Sequence, residues 1–230
     1  MATYSAVVLT APPPGEPAES GAFVKIDGRE VLLRAVELFL NRENIRQIQV
    51  CFLPADLETA KRRYGAHLSF AGVKVFSAGP GWAEQISAAV PRIAELCTHV
   101  IVHDAARAAV AYNDIDALLE LAEKHPAVAL AAPVHGSLVE VDEGGKAVAI
   151  RPGDRYMRLL TPWAMSRAAF AGMASGGGRP DASQFAILKA SPLNVRMNSP
   201  GDAALVKAML QLLPKPRVKP PSSPFEEAQW

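Results

Sequence analysis

Short apolar runs alternating with stretches of helical spacing constrain this chain more than any other feature. Residues 6–10, 47–53, 73–76, 99–103 and 128–133 read as strands. The second, fourth and fifth are rich in Val, Ile and Leu with little alternation, the pattern of strands buried on both faces. Between them, residues 30–40, 55–66, 82–96 and 114–124 carry apolar residues at helical spacing, with Asn113-Asp114 as an N-cap before Ile115. Strands alternating with helical crossovers predict an α/β fold with a Rossmann-like, mostly parallel sheet flanked by helices. Half of the 230 residues are hydrophobic, enough for the core of a single domain over 1–213.

The rhythm changes after the fifth strand. Residues 137–142, the turn Glu143-Gly144-Gly145-Lys146 and residues 147–151 read as a β-hairpin, an arm projecting from the sheet. A short helix is expected over 164–173, a helix over 181–190, an extended segment over 193–197, and a helix over 200–213 with Pro200 in its first turn. The Pro-rich stretch 214–230 is expected to be a disordered tail.

Composition removes several function classes. A net charge of +1 gives no electrostatic footprint for nucleic acid. No apolar run approaches the roughly 18 residues needed to cross a bilayer. The N-terminus lacks a basic segment followed by a long apolar core, so no signal peptide is expected. Cys51 and Cys97 sit inside apolar runs and read as buried free thiols, in keeping with a cytoplasmic location.

Two stretches carry the chemistry. Val100-Ile101-Val102-His103-Asp104-Ala105-Ala106-Arg107 is a buried strand ending in a polar run. In open α/β sheets ligands bind at the carboxyl ends of strands. There Asp104 could accept a hydroxyl or hold a cation, and Arg107 could fork onto a phosphate; equally, the two could simply pair with each other. The loop after the first strand runs Pro12-Pro13-Pro14-Gly15-Glu16-Pro17-Ala18-Glu19-Ser20-Gly21. Proline has no N–H to offer an anion, and the loop holds glutamates and no cation.

The His-Asp-Ala-Ala-Arg run resembles the signature of the 2-C-methyl-D-erythritol 4-phosphate cytidylyltransferase family. The likeness extends over residues 5–212: Ala132-Pro133-Val134, Asp154-Arg155, Leu160-Thr161-Pro162, Asp181-Ala182-Ser183, Asn194-Val195-Arg196 and Pro200-Gly201-Asp202 follow in the family's order. The resemblance implies joining of CTP to the phosphate of methylerythritol phosphate with release of pyrophosphate, Mg2+ as the cofactor of an active enzyme, and a homodimer built by exchange of the 137–151 arm. The nucleophile is then the substrate's own phosphate, so catalysis rests on positioning and on cations. It assigns Asp104, Arg107, Ser137 and Asp181 to substrate binding, and Arg196 and Arg155 to catalysis, with Arg155 reaching the substrate across the dimer. No residue is assigned to a protein-held metal.

The departures from the family pattern cluster on the nucleotide side. The loop arginine and lysine that grip the triphosphate fall near Glu16 and Gly21, leaving Lys25 as the nearest cation. In the second glycine-rich loop, Gly79 and Gly81 remain, Trp82 stands for an arginine and Gln85 for a serine that contacts the base. Gln85 could still bond a cytosine, and Trp82 could stack on it or pack internally. Pro180 replaces an aspartate, and Trp163 the glutamine after Thr161-Pro162. Together these imply weak nucleotide binding through Gly79, Gly81, Gln85 and Lys25, and impaired catalysis. The alternative is an inactive homologue acting as a phosphate-ester-binding or regulatory dimer. Arg107, Arg155 and Arg196 are expected to converge on one anion pocket.

Overall fold

A computed structural model describes residues 2–179 and 181–214; the expected disordered tail, apart from Pro214, and the Pro180 substitution lie outside the described residues. The chain runs β1 (Tyr4–Leu9), β2 (Lys25–Ile26), β3 (Arg29–Glu30), α1 (Val31–Glu37), β4 (Ile45–Phe52), α2 (Pro54–Phe70), β5 (Lys74–Ser77), α3 (Trp82–Ala89), β6 (His99–Asp104), α4 (Tyr112–Ala122) and β7 (Ala127–Pro133). It continues through β8 (Ser137–Val141), β9 (Ala147–Pro152), β10 (Met157–Ser166), α5 (Arg167–Ser175), β11 (Phe185–Lys189) and α6 (Ala203–Leu212). Seven strands form one sheet in the order β11-β7-β10-β6-β1-β4-β5. All its pairings are parallel except those of β10, which runs antiparallel to β6 and β7.

The apolar strands are the central ones, as their pattern requires. On β1, Tyr4, Ala6 and Val8 face a core shared with α1, α2 and α4, while Val7 and Leu9 face a second core shared with α3 and α5. The helix expected over 82–96 stops at Ala89, and a 3-10 turn, Val90–Arg92, follows. Pro91 has no N–H to carry the α-helical ladder on.

Two expectations of local structure are corrected. Residues 164–166 belong to β10, and the helix begins at Arg167. The strand was hidden by Pro162, which cannot donate to a ladder. The sheet absorbs it in a bulge: Leu160 pairs with Leu130 and Trp163 with Ala129, leaving Thr161 and Pro162 unpaired between them. The helix expected over 181–190 is a 3-10 turn, Ala182–Gln184, followed by edge strand β11. In so short an apolar run the two periods compete, and the open edge of β7 decides for the strand. Residues 193–197, expected as extended, form no strand.

The β8–β9 hairpin stands off the sheet as its own two-stranded ribbon. Asp142 closes its tip, its carboxylate accepting from the Gly144 and Lys146 N–H groups at 3.0 and 2.9 Å. At its base the Gly153 N–H donates to the Gly136 carbonyl at 2.9 Å. A Cβ on Gly153 would fall 2.2 Å from that oxygen, so only glycine closes the base this way. Both cysteines are buried free thiols, and no helix among the described residues is long and apolar enough to cross a membrane.

Candidate active site

β6 delivers His103 and Asp104 to the carboxyl edge of the sheet, beside the end of β1. The β10 bulge aims Thr161 at them. Its hydroxyl accepts from the Asp104 N–H at 3.1 Å and donates to His103 Nδ1 at 3.2 Å. The other ring nitrogen, Nε2, donates to the Arg107 carbonyl at 2.8 Å. His103 thus acts as a buried neutral strut, and burial pushes its pKa down to about 3.

Segment 190–198 brings Asn194 and Arg196 in from β11. Asn194 is buried, its amide donating to the Thr161 carbonyl at 2.8 Å. Arg196 Nε donates to Asp104 Oδ2 at 2.7 Å, and Arg107 Nε lies 3.7 Å from the same oxygen. Asp104 Oδ1 accepts from the Ala106 N–H at 2.9 Å. Burial pushes the Asp104 carboxyl up, opposed by Arg196, the Ala106 N–H and Arg107. Burial also pushes Arg107 down, opposed by Glu16 and Asp104, while the nearby Arg158 adds to the lowering.

Both guanidiniums are spent on the protein itself. Arg107 bonds the Asn194 carbonyl at 3.1 Å and pairs with the Glu16 carboxylate. Arg196 Nη1 bonds the carbonyls of Pro17 and Glu19, at 3.3 and 2.8 Å, and Asn198 Oδ1 at 2.6 Å. The Pro-rich loop is therefore tied down by the two arginines expected to hold an acceptor phosphate. Of the three arginines expected to share one anion pocket, Arg107 and Arg196 converge on Asp104 and Arg155 does not join them, and internal salt bridges close the pair.

The other predicted residues scatter. Arg155 lies exposed in the 3-10 turn Gly153–Arg155 at the arm's base, with no hydrogen bond or salt bridge among the described residues. Ser137 is exposed at the start of β8. Asp181, expected beside the arginines, sits ahead of β11 at the opposite, amino edge of the sheet. It accepts from the Ser183 N–H and hydroxyl at 3.0 and 2.7 Å, bonds that hold its pKa down.

The nucleotide-side residues are also occupied. Glu84 folds back on the second glycine loop, accepting from the Gly81 N–H at 2.7 Å, and a Cβ on Gly79 would fall 2.4 Å from its carboxylate. Gln85 is fully buried. Its amide donates to Thr10 Oγ1 and the Gly79 carbonyl, and its oxygen accepts from the Ala11 N–H, so neither amide donor is left for a base. Trp82 is buried edge-on to Trp163, ring centres 5.6 Å apart, and donates to the Gly178 carbonyl at 3.1 Å. Trp163 meets Phe185 in the same way. The two tryptophans at positions departing from the family pattern thus form one aromatic core cluster. Lys25, itself exposed, pairs with the buried Glu30 carboxylate at 3.7 Å.

Magnesium is normally held by one or two carboxylates together with substrate phosphates. Here Asp104 and Glu16 are both engaged by guanidiniums, and no cluster of three or more metal-ligating side chains occurs among the described residues. This donor set does not fit a resident magnesium ion.

Sequence reasoning missed the destination of Glu16 and the roles of Asn194 and Thr161. The Leu160-Thr161-Pro162 run was the available signal for Thr161, since a proline inside an apolar run marks a bulge.

A model of the 2-C-methyl-D-erythritol 4-phosphate cytidylyltransferase family matches residues 6–210. A protein of that name from Symbiobacterium thermophilum is 26% identical over 202 residues, 82% of this chain and 84% of its own length. The match to the Clostridioides difficile protein of the same name is 24% identical over 122 residues; it covers 53% of this chain and spans about half, 52%, of that relative. Among solved structures, the 4-diphosphocytidyl-2C-methyl-D-erythritol synthase of Anaerococcus prevotii superposes with a TM-score of 0.73 at 14% identity, covering 91% of this chain and 96% of that one. The chain belongs to the 2-C-methyl-D-erythritol 4-phosphate cytidylyltransferase family.

Proposed function

We propose that this chain is a family member in which cytidylyl transfer from CTP to 2-C-methyl-D-erythritol 4-phosphate is impaired. In that reaction an oxygen of the acceptor phosphate attacks the α-phosphorus of CTP, the bond to the β-phosphate breaks, and pyrophosphate leaves. The observation that carries this reading is the engagement of Arg107 and Arg196 by Glu16, Asp104 and the loop carbonyls. Cations spent in this way do not stabilise charge developing on a phosphate. Losing one such donor costs about 100- to 1,000-fold in rate, and here two are engaged while the loop contributes none. Magnesium, if used, arrives with the triphosphate.

Pyrophosphate release with CTP, methylerythritol phosphate and magnesium tests this. We expect a rate at least about 100-fold below that of a relative with a basic glycine-rich loop; a comparable rate overturns the reading. Absence of any release would favour the inactive, phosphate-ester-binding homologue, a reading also supported by the internal use of Gln85 and Trp82.

The working unit in this proposal is a homodimer joined by the arm. Val139, Val141, Val148 and Ile150 are 54, 56, 63 and 75% exposed on a ribbon that is marginal alone. A partner arm would cover these side chains and bring Arg155 of each arm base towards the other protomer. Light scattering at micromolar concentration should give a dimer, and placing aspartates at Val148 and Ile150 should give a folded monomer. A wild-type monomer would overturn the arm-exchange proposal.

A further inference from the structure

The loop 12–21 is built, not merely degenerate. The Glu16 N–H donates to the Pro13 carbonyl at 3.1 Å, and Gly15 has φ +88°. Proline at the second position and a left-handed glycine at the third is the pattern of a type II β-turn. Pro14 presets one dihedral and Pro17 stiffens the exit, so the turn presents Glu16 in a narrow range of directions. The Glu16 side chain is only 20% exposed because it enters the arginine cluster and pairs with Arg107. Arg196 then fixes the loop backbone through the Pro17 and Glu19 carbonyls.

The fit is incomplete. Among the described residues, Arg107 Nε and Arg196 Nη2 are buried without a hydrogen-bond partner. Buried unpaired donors are rare and costly. A carboxylate brings two oxygens and one negative charge. A phosphomonoester brings three terminal oxygens and nearly twice the charge, a closer match to two guanidiniums with Arg158 nearby.

We propose that Glu16 is an intramolecular latch: its carboxylate occupies the Arg107 anion seat and keeps a phosphomonoester out until the 12–21 turn swings away. This rests on the acceptor-phosphate reading of the same site. The prolines that remove amide donors from the loop are, in this arrangement, what positions the latch.

A seat that is open only a fraction of the time has its affinity lowered by that fraction. Titration of the full chain with inorganic phosphate at constant ionic strength should therefore show Glu16→Gln binding about 10-fold or more tighter than wild type. Equal, measurable binding by both proteins overturns the latch and leaves the acceptor-phosphate reading standing. No binding by either overturns both. A second measurement needs no variant: glutamyl endopeptidase should cut wild type after Glu19 faster when phosphate is saturating. An unchanged cleavage rate overturns the latch.

Discussion

Arg107→Ala is expected to destabilise the folded chain by about 3–5 kcal/mol, the cost of breaking a buried ion pair from one side. Arg107 is only 2% exposed and touches three segments at once: the Glu16 loop, the end of β6 and the Asn194 carbonyl. Its loss leaves Glu16 without its cation and Asp104 with Arg196 alone. Against a total stability of about 5–15 kcal/mol, that is a large share. Urea unfolding reads it directly, and Arg155→Ala is the control. Arg155 is exposed and makes no hydrogen bond or salt bridge among the described residues, so its removal should stay within about 0.5 kcal/mol for the protomer's own folding. A loss below about 1 kcal/mol for Arg107→Ala would mean that water reaches the cluster freely.

A second large effect should follow from acid. His103 is fully buried, with its pKa lowered to about 3, against the ordinary value of 6.5 in the unfolded chain. Between those values the unfolded chain binds a proton that the folded chain refuses. Stability from this residue is therefore fully present above about pH 6.5 and is lost as pH falls towards 3. Each pH unit in that window costs at most about 1.4 kcal/mol. Denaturation midpoints at pH 7, 5.5 and 4.5 should fall steadily, and His103→Gln should flatten the slope while lowering stability at pH 7. An equal slope in the variant would assign the acid sensitivity to other groups; Asp181 and Asp202, held below 3.8 by hydrogen bonds, give up their contribution only in more acid solution.

The parallel core was legible because β4, β6 and β7 are buried on both faces, a condition that leaves its mark within each strand. β10 and β11 were not, because tertiary context decides them. β10 keeps its place through a bulge that hides Pro162, and β11 is drawn out by an open sheet edge. At the site, the strand ending in Asp104 and Arg107 was visible as a polar run, and the family resemblance singled out Arg196. The partner of Arg107 was not visible, since Glu16 lies 91 residues away and no local pattern links the two. A charge in a proline-rich loop looks solvated until the fold shows a buried cation beneath it. The joint departure of Trp82 and Trp163 was visible, but their contact depends on α3 and β10 meeting over one sheet face.

On the proposed reading of impaired catalysis, the Trp82–Trp163 contact also limits how this protein could be converted into a vigorous catalyst. Grafting a basic glycine-rich loop between β1 and β2 would leave the second glycine loop as it is. Returning an arginine to position 82 would push a guanidinium into a layer shared with Trp163, Phe170 and Met173, and would strip the Gly178 carbonyl of its indole donor. An unpaired charge in such surroundings is expensive. The substitution becomes tolerable only if α5, β10 and the 176–178 turn are rebuilt with it. Introducing the family's nucleotide-side residues is thus a step across several elements at once, and single exchanges towards them are expected to lose stability before they add any turnover.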